Sequence, residues 1–137
     1  MTIDKYILKV PIISERFCGV SYSDKQSHIL AYTVYLPTSG QDDEFLEIIS
    51  KLSFDISDNI CAKSSILIGL DSNQSEKSTR RRTEAMERFR EQFSLKTILL
   101  GDRPTFHHNN GTSVSQIDHI LYFVPDNSNT NTNICVN

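Results

Sequence analysis

The sequence carries no excess of basic charge: 14 lysines and arginines are outnumbered by 17 aspartates and glutamates, for a net charge of -3. A dedicated nucleic-acid binder usually has a basic surplus, so any positive surface here has to be local. Cysteine is scarce. Cys18, Cys61 and Cys135 are odd in number and far apart, which excludes a recognisable disulfide framework or cysteine-based zinc motif and favours reduced thiols. No apolar run approaches the roughly 18 residues of a membrane span. The opening MTIDKYILKV lacks the basic head and long apolar core of a secretion signal. No glycine-rich phosphate loop is present, which sets aside a nucleotide-binding doubly wound domain. These absences together lead us to expect an intracellular protein, cytoplasmic or nuclear, with no membrane partner.

What remains is the composition of one globular domain, 137 residues with 38% hydrophobic and 23% charged. Ile7 to Ile13 is apolar but holds Pro11, as in an edge strand. Arg16 to Tyr22 and His28 to Leu36 read as two antiparallel strands around the polar loop Ser23 to Ser27. Phe45, Ile48, Ile49 and Leu52 keep helical spacing, continued by Ile56 and Ile60, behind the acidic start Asp42, Asp43 and Glu44. Ser64 to Leu70 is a short continuous apolar run, the pattern of a strand buried on both faces. Thr83 to Phe93 predicts a second helix, and Lys96 to Leu100, Pro104 to His108 and Ile117 to Val124 predict further strands. Strand alternating with helix points to an α/β layered domain over residues 1–125, and 126–137 read as a polar, disordered tail.

Candidate chemistry gathers at strand ends. Asp71 and Asn73 follow the apolar run directly, where ligands of open α/β sheets bind. A carboxylate and an amide two residues apart can face one space. The same residue types also make turns, and from position alone a turn is the commoner meaning. Asp118 opens the strand that ends at Val124, where a carboxylate can orient a histidine or bind a metal. His119 follows it and must point to the other face. Tyr35, just before Leu36-Pro37-Thr38, can direct its hydroxyl into a site or lie in the core. Thr105 stands near His107 and His108, which lack a third ligand at a zinc spacing. Arg80, Arg81 and Arg82 can hold phosphates, or form a solvated helix start, although cations oppose the dipole there.

The order of these pieces resembles the endonuclease/exonuclease/phosphatase superfamily, and most of all the apurinic-type endonuclease domain of non-LTR (LINE-type) retrotransposons. The resemblance rests on Tyr35-x-Pro37, then Gly69-Leu70-Asp71-Ser72-Asn73, the arginine-rich stretch, Pro104-Thr105-Phe106 and Ser115-Gln116-Ile117-Asp118-His119-Ile120, and it spans Ile13 to Val124. It implies an α/β four-layer sandwich, here partial: two mainly antiparallel sheets flanked by helices. It implies phosphodiester hydrolysis with Mg2+, and DNA as the partner. In that reading Asp71 orients or deprotonates the attacking water, Asn73 and Tyr35 hold the phosphate with Thr105 and the three arginines nearby, and Asp118 orients a catalytic histidine.

The sequence departs from the pattern in three ways. Leu70 separates Gly69 from Asp71, where the family has Gly-Asp-x-Asn. The strand bearing the metal-binding glutamate has no counterpart before Ile13. No histidine follows His119 to match the terminal Ser-Asp-His. The expectation is therefore a site incomplete at both ends, with sheet edges open to association. The alternative is a catalytically inactive, retroelement-derived remnant that at most binds nucleic acid or another molecule.

Overall fold

The structure, a computed structural model, describes residues 7–13, 15–73, 78–98, 104–107, 109–111, 114–115 and 117–126. Six strands build one sheet: β1 (Ile7–Ile13), β2 (Phe17–Ser23), β3 (His28–Tyr35), β4 (Ser64–Asp71), and, named in chain order, β5 (Lys96–Thr97) and β8 (Asp118–Phe123). Their spatial order is β1-β2-β3-β4-β8-β5. A separate ribbon pairs β6 (Phe106–His107) with β7 (Val114–Ser115). Helix α1 (Asp42–Asn59) connects β3 to β4, which pair in parallel, and every other neighbouring pair is antiparallel. Helix α2 (Arg80–Gln92) follows β4. The α/β class and the mainly antiparallel sheet match the sequence expectation.

Both helices cover the same face. Alternate residues of β3 and β4 (Leu30, Tyr32, Val34, Ile66, Ile68 and Leu70) are buried, and they form one core with Phe45, Leu52 and Ile56 of α1 and Met86 and Phe89 of α2. A strand alternates its side chains between faces, so the intervening positions of β3 and β4 look away from the helices. This corrects the expectation that Ser64 to Leu70 is buried on both faces, because Leu67 is 46% exposed. An apolar run with this exposure marks a sheet with one open face.

Several local choices follow from particular residues. Pro11 cannot donate to a ladder, and β1 is an edge strand whose pairing with β2 slips between Lys9 and Ile12. The β2–β3 hairpin turns on Asp24, whose Oδ1 accepts from the backbone N–H of Gln26 and of Ser27, both at 2.7 Å. Gly19 faces the Tyr32 ring so closely that a Cβ there would lie 2.3 Å from Cε1. The Tyr32 hydroxyl donates to buried Asp55 Oδ2 at 2.6 Å, which ties the sheet to α1. Burial, then the Asp55 hydrogen bond and charge, push the Tyr32 phenol far above its ordinary value.

Helix α2 starts at Arg80, three residues earlier than the spacing suggested, because Thr79 caps it by accepting from the Arg82 N–H. Cys18 is a free thiol, as expected, and Cys135 lies outside the described residues. The expected strand end at Leu99–Leu100, His108, and the tail beyond Asp126 lie outside the described residues. Among the described residues no helix is long and apolar enough to cross a membrane.

Candidate functional site

The sheet register decides what the strand-end residues can do together. Tyr35 of β3 is the partner of Asp71 on β4, and Asp71 is the partner of Asp118 on β8. Cross-strand partners share a face. The three therefore form one row across the carboxyl ends of the parallel pair, on the face opposite the helices. Leu70 lies on the core side, 5% exposed, so its insertion after Gly69 leaves Asp71 in line with Tyr35 and Asp118.

Asn73 closes a turn over this row. Its φ is +45°, a left-handed conformation that asparagine tolerates. Its backbone N–H donates to Asp71 Oδ1 at 3.1 Å, and its side-chain Nδ2 donates to the Leu36 carbonyl at 2.7 Å. The turn and the convergence of Asp71 with its neighbours thus coexist in one geometry. Asn73 also anchors the segment that leaves Tyr35.

Thr105 takes a supporting position. Its hydroxyl oxygen accepts from the backbone N–H groups of Ile117, at 2.9 Å, and Asp118, at 3.2 Å. That fixes the start of β8 and leaves the hydroxyl hydrogen to donate. Ser72, which spacing did not single out, is 1% exposed. Its N–H and its hydroxyl both donate to the Ile117 carbonyl, at 2.7 and 3.0 Å. Ser72 and Thr105 hold the β4 end against the β8 start and so set Asp71 beside Asp118. No sequence signal marks Ser72 beyond its place between two candidates.

The electrostatics are those of two facing carboxylates. Burial raises the Asp71 pKa above its ordinary value; Asp118 pushes the same way, and the Asn73 N–H and His119 oppose it. His119 is the partner of core-side Leu70, on the opposite face from Asp118. Arg16, also missed from sequence, lies with its guanidinium 5.5 Å from the Tyr35 ring centre and bonds Glu44 at 2.9 Å.

Of the three arginines, Arg82 serves the scaffold. Arg82 is 2% exposed; its Nε donates to Asp42 at 2.7 Å, and its Nη1 and Nη2 to the Pro37 and Thr38 carbonyls at 2.9 and 2.6 Å. Its guanidinium also lies 4.7 Å from the Phe45 ring centre. Arg81 pairs with Asp43 and Arg80 with Glu84. Acidic side chains thus offset the arginines that open α2 against its dipole, and Arg82 is enclosed in the fold rather than presented to a ligand. Among the described residues no group of three or more His, Cys, Asp and Glu side chains gathers as a metal centre.

Comparison with known proteins gives a fold. No family model matches the chain, and no curated protein matches it. Solved structures do. The endonuclease domain of TRAS1, a telomere-specific non-LTR retrotransposon, is 18% identical with a TM-score of 0.56, over 77% of this chain and 49% of that one. D. rerio TDP2 complexed with single strand DNA product is 9% identical with a TM-score of 0.62, over 90% and 55%. A beta toxin from Staphylococcus aureus is 15% identical with a TM-score of 0.58, over 78% and 42%. This chain spans about half the length of each. Its fold is the one found in these structures, the retrotransposon endonuclease domain among them.

Proposed function

We propose that this chain carries part of a site for phosphodiester hydrolysis, of the endonuclease type, with nucleic acid as substrate. The observation that carries it is the row Tyr35–Asp71–Asp118, three groups from three strands in register on one face. The fold it shares with a retrotransposon endonuclease domain and with a protein solved with a single-strand DNA product supports nucleic acid over a small phosphoester. The chain contributes one sheet and one helix layer of the four-layer sandwich that the resemblance implies.

Hydrolysis needs a base for the attacking water and donors for the charge that develops on the phosphate oxygens. Asp71, with its pKa raised by burial, is placed to accept the proton from water. The Tyr35 hydroxyl and the second N–H of the Asn73 amide are the donors at hand, since one amide hydrogen serves the Leu36 carbonyl. Asp118 stands ready to orient a histidine or to share a cation with Asp71. A Mg2+ ion binds through one or two carboxylates and keeps several waters. The facing Asp71 and Asp118 suit it, and it would supply charge for the leaving oxygen. Arg82, enclosed in the fold, has no part in this scheme, whereas the exposed Arg80 and Arg81 are free of burial to meet the phosphate backbone of a nucleic acid.

The test is nicking of a supercoiled plasmid bearing an abasic site, with Mg2+ and with EDTA. We expect Mg2+-dependent nicking that falls about 100-fold or more in Asp71→Ala. Nicking no greater than in that variant refutes the reading for this chain. Binding without cleavage would identify a non-catalytic nucleic-acid module instead.

A further inference from the structure

The row of Tyr35, Asp71 and Asp118 has a fourth member that the hydrolytic scheme leaves unused. Arg16 stands just before β2, one step beyond the Phe17–Val34 pair, and its carbonyl accepts from the Tyr35 N–H at 2.7 Å. Phe17 is in the core at 5% exposure, so alternation turns Arg16 to the other face, beside Tyr35. Its guanidinium lies 5.5 Å from the Tyr35 ring centre, as that alternation requires. In register order the row is Arg16–Tyr35–Asp71–Asp118, with a cation at one end and two carboxylates at the other. The Arg16 Nε also donates to Glu44 at 2.9 Å, in the first turn of α1. The ring and the carboxylate together fix the guanidinium in one place.

We infer that Arg16 binds the nucleic-acid phosphate next to the one held at Tyr35 and Asp71, an assignment that rests on the hydrolytic reading of the row. Charge is the first argument. A phosphate brought against Asp71 and Asp118 meets like charge, and Arg16 is the row's own counter-charge. Distance is the second. Strands about 4.8 Å apart set the Arg16 backbone about 10 Å from that of Asp71, with Tyr35 between them. A cation over a ring face lies off the ring plane, whereas the phenol hydroxyl projects within it. The two donors therefore address separate points, and one phosphate at the hydroxyl leaves the guanidinium to its neighbour along the strand. Preorganisation is the third. An arginine fork suits phosphate geometry, and the contacts with Tyr35 and Glu44 reduce the side-chain freedom lost on binding.

The test is the salt dependence of binding to a short duplex with one abasic site, in EDTA so that cleavage does not intervene, from about 50 to about 200 mM salt. Arg16→Gln is expected to weaken binding about 10-fold at the low end and to make the slope of log K against log salt shallower by about 0.9, the share of one phosphate. Arg16→Lys keeps the charge and loses the fork, so it should retain the slope while binding less tightly. Lys51→Gln removes an exposed charge on α1 and is the control expected to change neither. Replacing the phosphate on one flank of the abasic site by a neutral methylphosphonate should cost the unmodified chain the same slope and cost Arg16→Gln nothing more. A chain that binds the duplex with a slope indifferent to Arg16→Gln overturns the assignment and leaves the hydrolytic reading standing. A chain that does not bind the duplex overturns that reading, and the assignment with it.

Discussion

Replacing Arg82 by methionine removes one charge and keeps most of the stem, so its cost reports what the guanidinium holds. Arg82 is 2% exposed and joins three elements: Asp42 at the start of α1, the Pro37 and Thr38 carbonyls after β3, and its own helix. Removing one partner of a buried ion pair costs about 3–5 kcal/mol. The two carbonyls left without donors, at about 1–3 kcal/mol each, are part of that figure and not additional to it. A domain of this size is stable by only about 5–15 kcal/mol. The loss should therefore lower the urea midpoint strongly and the Tm by on the order of 10–20 °C. Arg81→Met is the comparison. Its pair with Asp43 is 62% and 93% exposed, and such pairs contribute about 0–1 kcal/mol. Both variants should be measured at one protein concentration.

The same experiment has a pH arm. The Arg82 hydrogen bond first, then that of Thr79, holds the Asp42 carboxyl below its ordinary value of 3.8. A depressed pKa contributes stability above the unfolded value and loses it as pH falls through the folded one. The gap between the parent and Arg82→Met should hold at neutral pH and narrow below about pH 4. If Arg82→Met unfolds within about 1 kcal/mol of Arg81→Met at pH 7, the account of a buried arginine as the clamp behind the Tyr35 strand end is wrong.

Three further outcomes follow from named contacts. Tyr32→Phe leaves the buried Asp55 carboxylate without its 2.6 Å donor and should cost about 1.5–3 kcal/mol in urea unfolding. Gly19→Ala should cost about 1–3 kcal/mol by forcing a Cβ into the Tyr32 ring, and far less in a Tyr32→Ala background, which a double-mutant cycle checks. His28 is 1% exposed, shares a 2.6 Å hydrogen bond with Ser64, and has its pKa lowered by burial. Its neutral form favours the fold, so that contribution is complete above its unfolded pKa of about 6.5 and is lost as pH falls below it. Stability between about pH 7 and 5 should thus fall more steeply in the parent than in His28→Gln.

Periodicity made most of the fold legible. The helical stripe from Phe45 to Ile56 and the β-rich runs of β2, β3 and β4 lie where spacing placed them, because each buries one side against one core. The errors have a common cause in tertiary context. Ser64 to Leu70 reads as doubly buried, because a single sequence cannot distinguish a face covered by helices from an apolar face left open. Arg82 reads as one of a run that either holds phosphates or opens a solvated helix, because nothing local reveals that Asp42 and two carbonyls 40 to 45 residues upstream enclose it. In the site, motif order led to Tyr35, Asp71, Asn73 and Asp118. Arg16 and Ser72 were invisible because their positions come from register and turn contacts, not spacing.

The Asp71–Asp118 pair is where the fold works against itself. Like charges directly opposite on neighbouring strands are destabilising, and here Ser72 and Thr105 keep the strands that carry them in place. A conflict of this kind, in a sequence whose helices, caps and core otherwise agree, is expected at a functional position. It has a signed consequence. A carboxyl whose folded pKa is raised stabilises the fold when protonated and opposes it as pH rises through that pKa. Asp71→Asn should therefore raise the urea midpoint at pH 7 and lose that advantage below about pH 4, where the parent carboxyl is itself neutral. The same variant should abolish nicking. If Asp71→Asn instead destabilises the chain at pH 7, Asp71 is a structural turn residue, and the row gives no support to a hydrolytic site.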